Sequence, residues 1–202
     1  MSTGETDYWR QRWLDGKTGW DRGGASPALL HWLDNGVMTP GRILVPGCGH
    51  GYEVDVLAER GFRVTAVDIV PEPLQRLRER LSSKGLEAEI IQDNVFTYLH
   101  PDGPFDAVYE QTCLCAFAPE YRPAYVAQLN RWVRPGGTLF ALFTQTPWRS
   151  GPPFHSSPEA MRELFTEDTW IWPAEADLSV PHEAGFTELG YRLVRRPAQP
   201  DT

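Results

Sequence analysis

Cysteine is scarce in this chain: three residues in 202, Cys48, Cys113 and Cys115, with no CxxC pair among them. That spacing offers no disulfide framework, and no histidine or third cysteine stands near Cys113 and Cys115 to complete a metal site. The expectation is no metal and reduced thiols in a cytoplasmic protein. Long apolar runs are missing too, and nothing approaches the roughly 20 residues that a membrane span requires. The opening residues, MSTGETDYWRQRW, lack the basic start and apolar stretch of a secretory signal. Positive charge is in deficit, with 19 Lys and Arg against 27 Asp and Glu for a net charge of −8. Binding to a phosphate backbone runs on clustered cations, so nucleic acid is not an expected partner. One basic patch, LQRLRERL, has glutamate mixed into it and reads as a solvated helix face. Repeats, low-complexity segments and internal boundaries are also absent, which leaves a single domain over residues 1–202.

What is present is a chain of ordinary solubility, 41% hydrophobic and 23% charged, long enough to bury a full core by itself. Its 8 tryptophans exceed what a core alone needs and hint at a pocket with aromatic walls. Residues 7–13 have helix-compatible spacing, followed by the turn-rich LDGKTGWDRGGASP. SPALLHWLDNG predicts a helix with Ser26 as N-cap, Pro27 at its first position and Gly36 as its stop. From RILVPG onward strands and helices alternate: YEVDVLAERG, RVTAVDI, PEPLQRLRERLSSKG, AEIIQDN, FDAVYEQ, PEYRPAYVAQLNRWVRPGG and TLFALFTQ. SPEAMRELF reads as a further helix, and TWIWPAEADL with ELGYRLVRR as an antiparallel pair closing the sheet. Strict alternation predicts an α/β fold: a mostly parallel, seven-stranded, Rossmann-like sheet with helices on both faces and an N-terminal helical flap.

In such a sheet the ligand lies beyond the carboxyl ends of the strands, near the first strand. There the chain reads ILVPGCGHGYEV, with Gly47, Gly49 and Gly51 in alternation. A dinucleotide fingerprint is G-x-G-x-x-G, but its third glycine position holds Tyr52, and no Gly-Lys-Ser/Thr follows to make a P-loop. The shorter turn suits a ligand without a pyrophosphate, such as S-adenosylmethionine (SAM), although a plain tight turn is the alternative. Gly47 and Gly49 then floor the methionine end of the cofactor, and Cys48 is a small residue packing under the loop. Asp68 ends the second strand, where a carboxylate accepts hydrogen bonds from both ribose hydroxyls, unless it caps the helix at Pro71. Asn94 and Val95 leave the third strand in place for an adenine edge, or simply form a strand-to-turn exit.

YWRQRWLDGKTGWDRGGASPALLHWL, LVPGCGHGYEV, DNVFTY, FDAVYEQTCLCAFAPEYRPAY and GPPF together carry a specific resemblance over most of the chain. The chain resembles the thiopurine methyltransferase superfamily of class I SAM-dependent methyltransferases, and more closely the halide and thiol (thiocyanate) methyltransferase branch of plants and fungi. That resemblance implies SAM as cofactor and S-adenosylhomocysteine (SAH) as product. It implies that Trp9, Trp13 and Trp20 enclose the cofactor and that Gly47, Asp68, Asn94, Val95 and Gln111 line it. The plant branch has an aromatic residue where Gln111 stands and an aspartate where Asn94 stands. From the residues alone, Trp9 and Trp13 share one helix face and admit a core-packing reading. Trp20 sits in a loop-like stretch, and a flap over residues 1–36 would bring its indole over a sulfonium and exclude water.

Methyl transfer by in-line displacement depends on alignment and a dry site and needs no covalent nucleophile. The expected activity is S-methylation of small thiols or soft anions (thiol, sulfide, thiocyanate, halide or thiopurine-like), with a small-molecule acceptor and a monomeric enzyme. A larger heteroatom acceptor in secondary metabolism is the alternative; a SAM-binding protein without turnover is a third reading. No Asn-Pro-Pro-aromatic motif follows the fourth strand, which argues against amino methylation of bases or glutamine. GPPF reads as acceptor-side loop. Acceptor-side candidates are Glu110, Cys113, Cys115, Tyr121, Arg122, Phe154 and His155, with Arg122 and Phe154 foremost for substrate. Arg122 would attract an anion unless it pairs with Glu120 or faces solvent. No residue stands out as catalytic.

Overall fold

The computed structural model describes residues 3–197. By contact it divides into two compact units, Met1–Tyr98 and Leu99–Thr202.

The first unit opens with helix α1 (Thr3–Leu14) and helix α2 (Pro27–Asp34). Ser26 caps α2 as its sequence predicts: the hydroxyl accepts from the Ala28 N–H at 3.2 Å, and Pro27 occupies the first turn, where a missing N–H costs nothing. Asn35 caps the end of the helix, and Gly36 follows at φ +66°. Strand β1 (Arg42–Pro46), helix α3 (Tyr52–Glu59), strand β2 (Arg63–Asp68), helix α4 (Pro71–Lys84) and strand β3 (Glu89–Gln92) then alternate. The three strands are parallel in the order β3-β2-β1, with Val45 opposite Ala66 and Val67 opposite Ile91. β1 and β2 are buried almost throughout, as strands covered on both faces require. Leu74, Leu77 and Leu81 form the buried stripe of α4 at helical spacing.

The second unit contains strand β4 (Phe105–Glu110), 3₁₀ turns at Leu114–Ala116 and Pro119–Tyr121, and helix α5 (Arg122–Trp132). Strand β5 (Val133–Gln145), helix α6 (Pro158–Leu164) and strands β6 (Trp170–Ile171), β7 (Leu178–Pro181) and β8 (Thr187–Arg195) complete it. β4 and β5 are parallel, and β8 runs antiparallel to β5. The Arg-Pro-Gly-Gly stretch does not break the chain between helix and strand as its composition suggests. It lies inside β5 as a register shift, with Val133 opposite Phe105 and Thr138 opposite Ala107. A Cβ at Gly137 would lie 2.7 Å from the Asp106 carbonyl, so glycine is what lets the two backbones approach there.

Among the described residues the strands number eight, where the sequence predicts seven. The segment 169–178, read as one closing strand, keeps only β6 and the first residue of β7: β6 pairs with the Val194–Arg195 end of β8, and β7, almost wholly beyond that segment, pairs with β8 from Thr187 to Gly190. Pro173, which has no N–H to give a ladder, lies in the interruption. Among the described residues no helix is long and apolar enough to cross a membrane.

Candidate active site

In the first unit the loop between β1 and α3 is shaped by its glycines. Gly47, Gly49 and Gly51 take φ of +60°, +52° and +66°, the left-handed region that other residues enter at a cost. Two anchors hold the loop. The Gly49 N–H donates to Asp68 Oδ2 at 2.8 Å, and the guanidinium of Arg80 on α4 donates to the His50 carbonyl at 2.7 Å and the Gly51 carbonyl at 3.1 Å. Arg80 is itself fixed by the buried Asp55 carboxylate through contacts of 2.7 and 2.9 Å. The basic patch of α4 is therefore only partly a solvated face, because one of its arginines secures the glycine loop. Cys48 is buried under the loop, with its N–H donating to the Val67 carbonyl at 3.2 Å.

Asp68 is buried at the end of β2, and its other oxygen accepts from the Val70 N–H at 2.9 Å. It joins the loop to the start of α4, whose N-cap position is Val70. Burial pushes the Asp68 carboxyl up, and the backbone N–H donors pull it back. Next along, Asp93 N–H donates to the Asp68 carbonyl at 3.1 Å, and Asn94 Oδ1 accepts from the Phe96 N–H at 2.9 Å. That turn leaves the Asn94 amide nitrogen as a donor at the half-exposed surface, beside the buried Val95.

The three N-terminal tryptophans lie against this loop. Trp20 meets both helix partners edge to face, with ring centroids 5.5 Å from Trp9 and 5.8 Å from Trp13. All three indoles are half-buried and none joins the core, which removes the core-packing reading of the helical pair. Trp13 touches the loop directly: its ring is 4.6 Å from that of His50. The indoles form a partly open aromatic cluster against the glycine loop, and a cation already lies over one of them: the Arg12 guanidinium is 5.4 Å from the Trp20 ring centroid.

Sequence reasoning missed His50, Asp21 and Glu53. His50 Nε2 lies 3.4 Å from the Asp21 carboxylate, which links the loop to the N-terminal segment; burial holds the imidazole below its usual pKa, although Asp21 opposes that. Glu53 accepts from the Ser26 N–H at 2.9 Å. The signal was present in GHGYE and GWDRGG, but glycine and tryptophan dominated the reading of both.

The remaining candidates belong to the second unit. Tyr109 donates its hydroxyl hydrogen to Gln111 Oε1 at 2.8 Å, so the amide nitrogen is the donor end of the Gln111 side chain. Arg122 is buried, and pairs neither with Glu120 nor with solvent as expected: its Nη atoms donate to the His155 carbonyl at 3.0 Å and the Phe154 carbonyl at 3.2 Å. It shapes the GPPF loop instead of standing ready for an anion. The Phe154 ring lies over Gly151, where a Cβ would come within 2.5 Å of it. Tyr121 is half exposed, and His155 Nδ1 accepts from the Thr146 N–H at 3.0 Å. Cys113 and Cys115 are buried; burial pushes the Cys115 thiol up to about 12 and keeps it protonated. Glu110 is fully buried, and burial, aided by Glu188, raises its carboxyl to about 7 despite its bonds to backbone N–H groups and the nearby Arg122.

The same fold is found in the 1,6-didemethyltoxoflavin N1-methyltransferase of Burkholderia thailandensis, solved with 1,6-didemethyltoxoflavin and SAH. The TM-score is 0.75 at 22% identity, covering 96% of this chain and 87% of that one. The fold and the glycine loop are those of a class I SAM-dependent methyltransferase, with SAM as its cofactor and a small molecule as acceptor. The chain belongs to the thiopurine S-methyltransferase family, whose model matches residues 4–197. Among relatives, it is 32% identical to a probable thiol methyltransferase 2 of Arabidopsis thaliana over 94% of this chain and 86% of the relative. It is also 32% identical to thiocyanate methyltransferase 1 of the same plant, over 93% and 85%.

Proposed function

We propose that the protein transfers the methyl group of SAM directly to small thiols or soft anions, in the manner named for its thiol and thiocyanate methyltransferase relatives. The observation that carries this reading is the cage of half-buried indoles seated on the glycine loop. When bound, SAM supplies a methyl group made electrophilic by its sulfonium. Gly47 and Gly49 would let the backbone lie against the amino-acid end, and Asp68 would receive the ribose hydroxyls. Asn94 and Val95 would meet the adenine, and Gln111 would add a donor. Trp9, Trp13 and Trp20 would cover the site, favour positive charge by their ring faces and keep water out.

A soft anion or thiolate needs no general base, in keeping with the protonated state of Cys115 and the structural engagement of Arg122. Phe154 and the loop around it would shape the acceptor side. We place the enzyme in the cytoplasm as a monomer acting on small molecules, working as one domain because the family match runs through both units. Purified protein incubated with SAM and thiocyanate, iodide, hydrosulfide or an aryl thiol tests the proposal by headspace and liquid chromatography. Methylated sulfur or halide products are expected. SAH binding without any such product would overturn the acceptor class, and tight NADH binding without SAM binding would overturn the cofactor site.

A further inference from the structure

Thr112 is the one non-glycine residue at positive φ among the described residues, at +56°. For a β-branched side chain this conformation is an outlier that its surroundings must enforce. The enforcement is visible. Glu110, immediately before the turn, turns one carboxylate oxygen back to accept from the Cys113 N–H at 3.1 Å and the Leu114 N–H at 2.6 Å. Thr112 Oγ1 donates to the Gln111 carbonyl at 2.8 Å. The turn is also tied to the GPPF loop, because the Phe154 N–H donates to the Cys115 carbonyl at 2.7 Å and Arg122 holds the carbonyls of Phe154 and His155.

We propose that Glu110 is a positioning residue, whose ionised carboxylate holds the strained Gln111–Thr112 turn and, through it, the acceptor-side loop in their working shape. The inference rests on the acceptor reading above. A carboxylate bonded to two backbone N–H groups holds them more strongly than a neutral acid does. The groups facing Glu110 are Glu188 on β8, Arg122 and Tyr125 on α5, and Cys115 in the 3₁₀ turn. Glu188 and burial oppose its charge and Arg122 supports it, so the carboxyl changes state at about 7, inside the physiological range. The second Glu110 oxygen is buried with no hydrogen-bond partner, so protonation there gains no compensating bond. Acid therefore weakens the grip on the turn.

Thiocyanate and iodide stay anionic across the relevant pH range, so kinetics with them isolates the enzyme's own titration. From about pH 8 to about pH 6 the wild-type Michaelis constant for either anion should rise about tenfold, as charge-assisted hydrogen bonds become neutral ones. Glu110→Gln should show a flat profile at the low-pH value. Thr112→Gly, which relieves strain without touching the carboxyl, should raise the same constant and keep the pH dependence. A flat wild-type profile, or Glu110→Gln titrating like wild type, overturns the inference. If the wild type binds SAH but methylates neither anion, the acceptor reading has failed, and amide hydrogen exchange over residues 111–116 decides the positioning role. Protection should fall about tenfold or more in Glu110→Gln as the charged bonds are lost; equal protection in both proteins overturns it.

Discussion

Gly49 and Trp13 meet so closely that a Cβ on the glycine would lie 3.3 Å from the indole Cζ2. The same glycine holds φ at +52° and donates its N–H to Asp68. One residue thus joins the tryptophan cage, the loop and the carboxylate at the end of β2. Gly49→Ala should lose about 1–2 kcal/mol of stability from the left-handed backbone alone. It should also push Trp13 off the loop and weaken SAH binding. Urea unfolding and calorimetry read the two effects separately, and an unchanged dissociation constant would show that the contact is packing without function.

Trp20 lies between Trp9 and Trp13, so its removal opens the cage without touching the glycine loop. Trp20→Ala should raise the Michaelis constant for SAM up to about thirtyfold, the scale of a desolvated cation–π contact. SAH, whose sulfur is uncharged, should lose less affinity than SAM. Equal losses for both would mean that the indole acts by shape and dryness and not by its ring face.

The glycine loop, the carboxylate that anchors it and the tryptophan cluster were legible in the sequence because they are local. Three alternating glycines after an apolar strand, an acidic residue closing the next strand and tryptophans at helical spacing are short-range patterns. What escaped lies in contacts between distant segments. Arg80 reaches the carbonyls of His50 and Gly51 from another helix, and nothing in LQRLRERL separates it from its solvated neighbours. Arg122 looked available because the loop that occupies it, around Phe154 and His155, comes 32 and 33 residues later. The short β6 and the displaced β7 were hidden for the same reason, since both are defined by pairing with β8 and not by any alternation of their own.

Asp68 accepts the Gly49 N–H on one oxygen and the Val70 N–H on the other, so its carboxylate is structural as well as being the proposed ribose partner. Asp68→Asn turns an amide NH₂ toward one of those N–H groups. The loss should be about 1–3 kcal/mol of stability, the cost of a buried donor left unsatisfied. SAH affinity should fall with it. A variant that unfolds at the wild-type urea concentration yet no longer binds SAH would assign the residue to the ribose alone.

His50 separates two kinds of contact that fasten the N-terminal segment to the loop: ring packing on Trp13 and the approach to Asp21. His50→Phe keeps the first and loses the second, whereas Asp21→Asn weakens only the second. If packing dominates, His50→Phe should bind SAH within about threefold of wild type, less than one net hydrogen bond is worth, and His50→Ala should not. The imidazole's pKa is lowered in the fold, so wild-type stability should decline as pH falls from its ordinary value of 6.5 toward the depressed value. His50→Phe should lack that part of the decline; an identical pH dependence would remove His50 from the titration.

Glu110 makes the opposite contribution to stability. Its carboxyl is raised from 4.5 to about 7 in the fold, so between those values the native protein binds more protons than the unfolded chain. Stability from this group is therefore complete below about 4.5 and is lost as pH rises to about 7, after which the cost of the buried charge is constant. The shift corresponds to a change of about 3 kcal/mol across the window. Urea unfolding at closely spaced pH values should show wild-type stability declining through that range relative to Glu110→Gln, which has no such proton to lose. The wild-type enzyme would then become more active toward anionic acceptors over the same range in which it becomes less stable. A difference between the two proteins that stays constant with pH would place the Glu110 carboxyl outside the range and remove the basis for its control of the Thr112 turn.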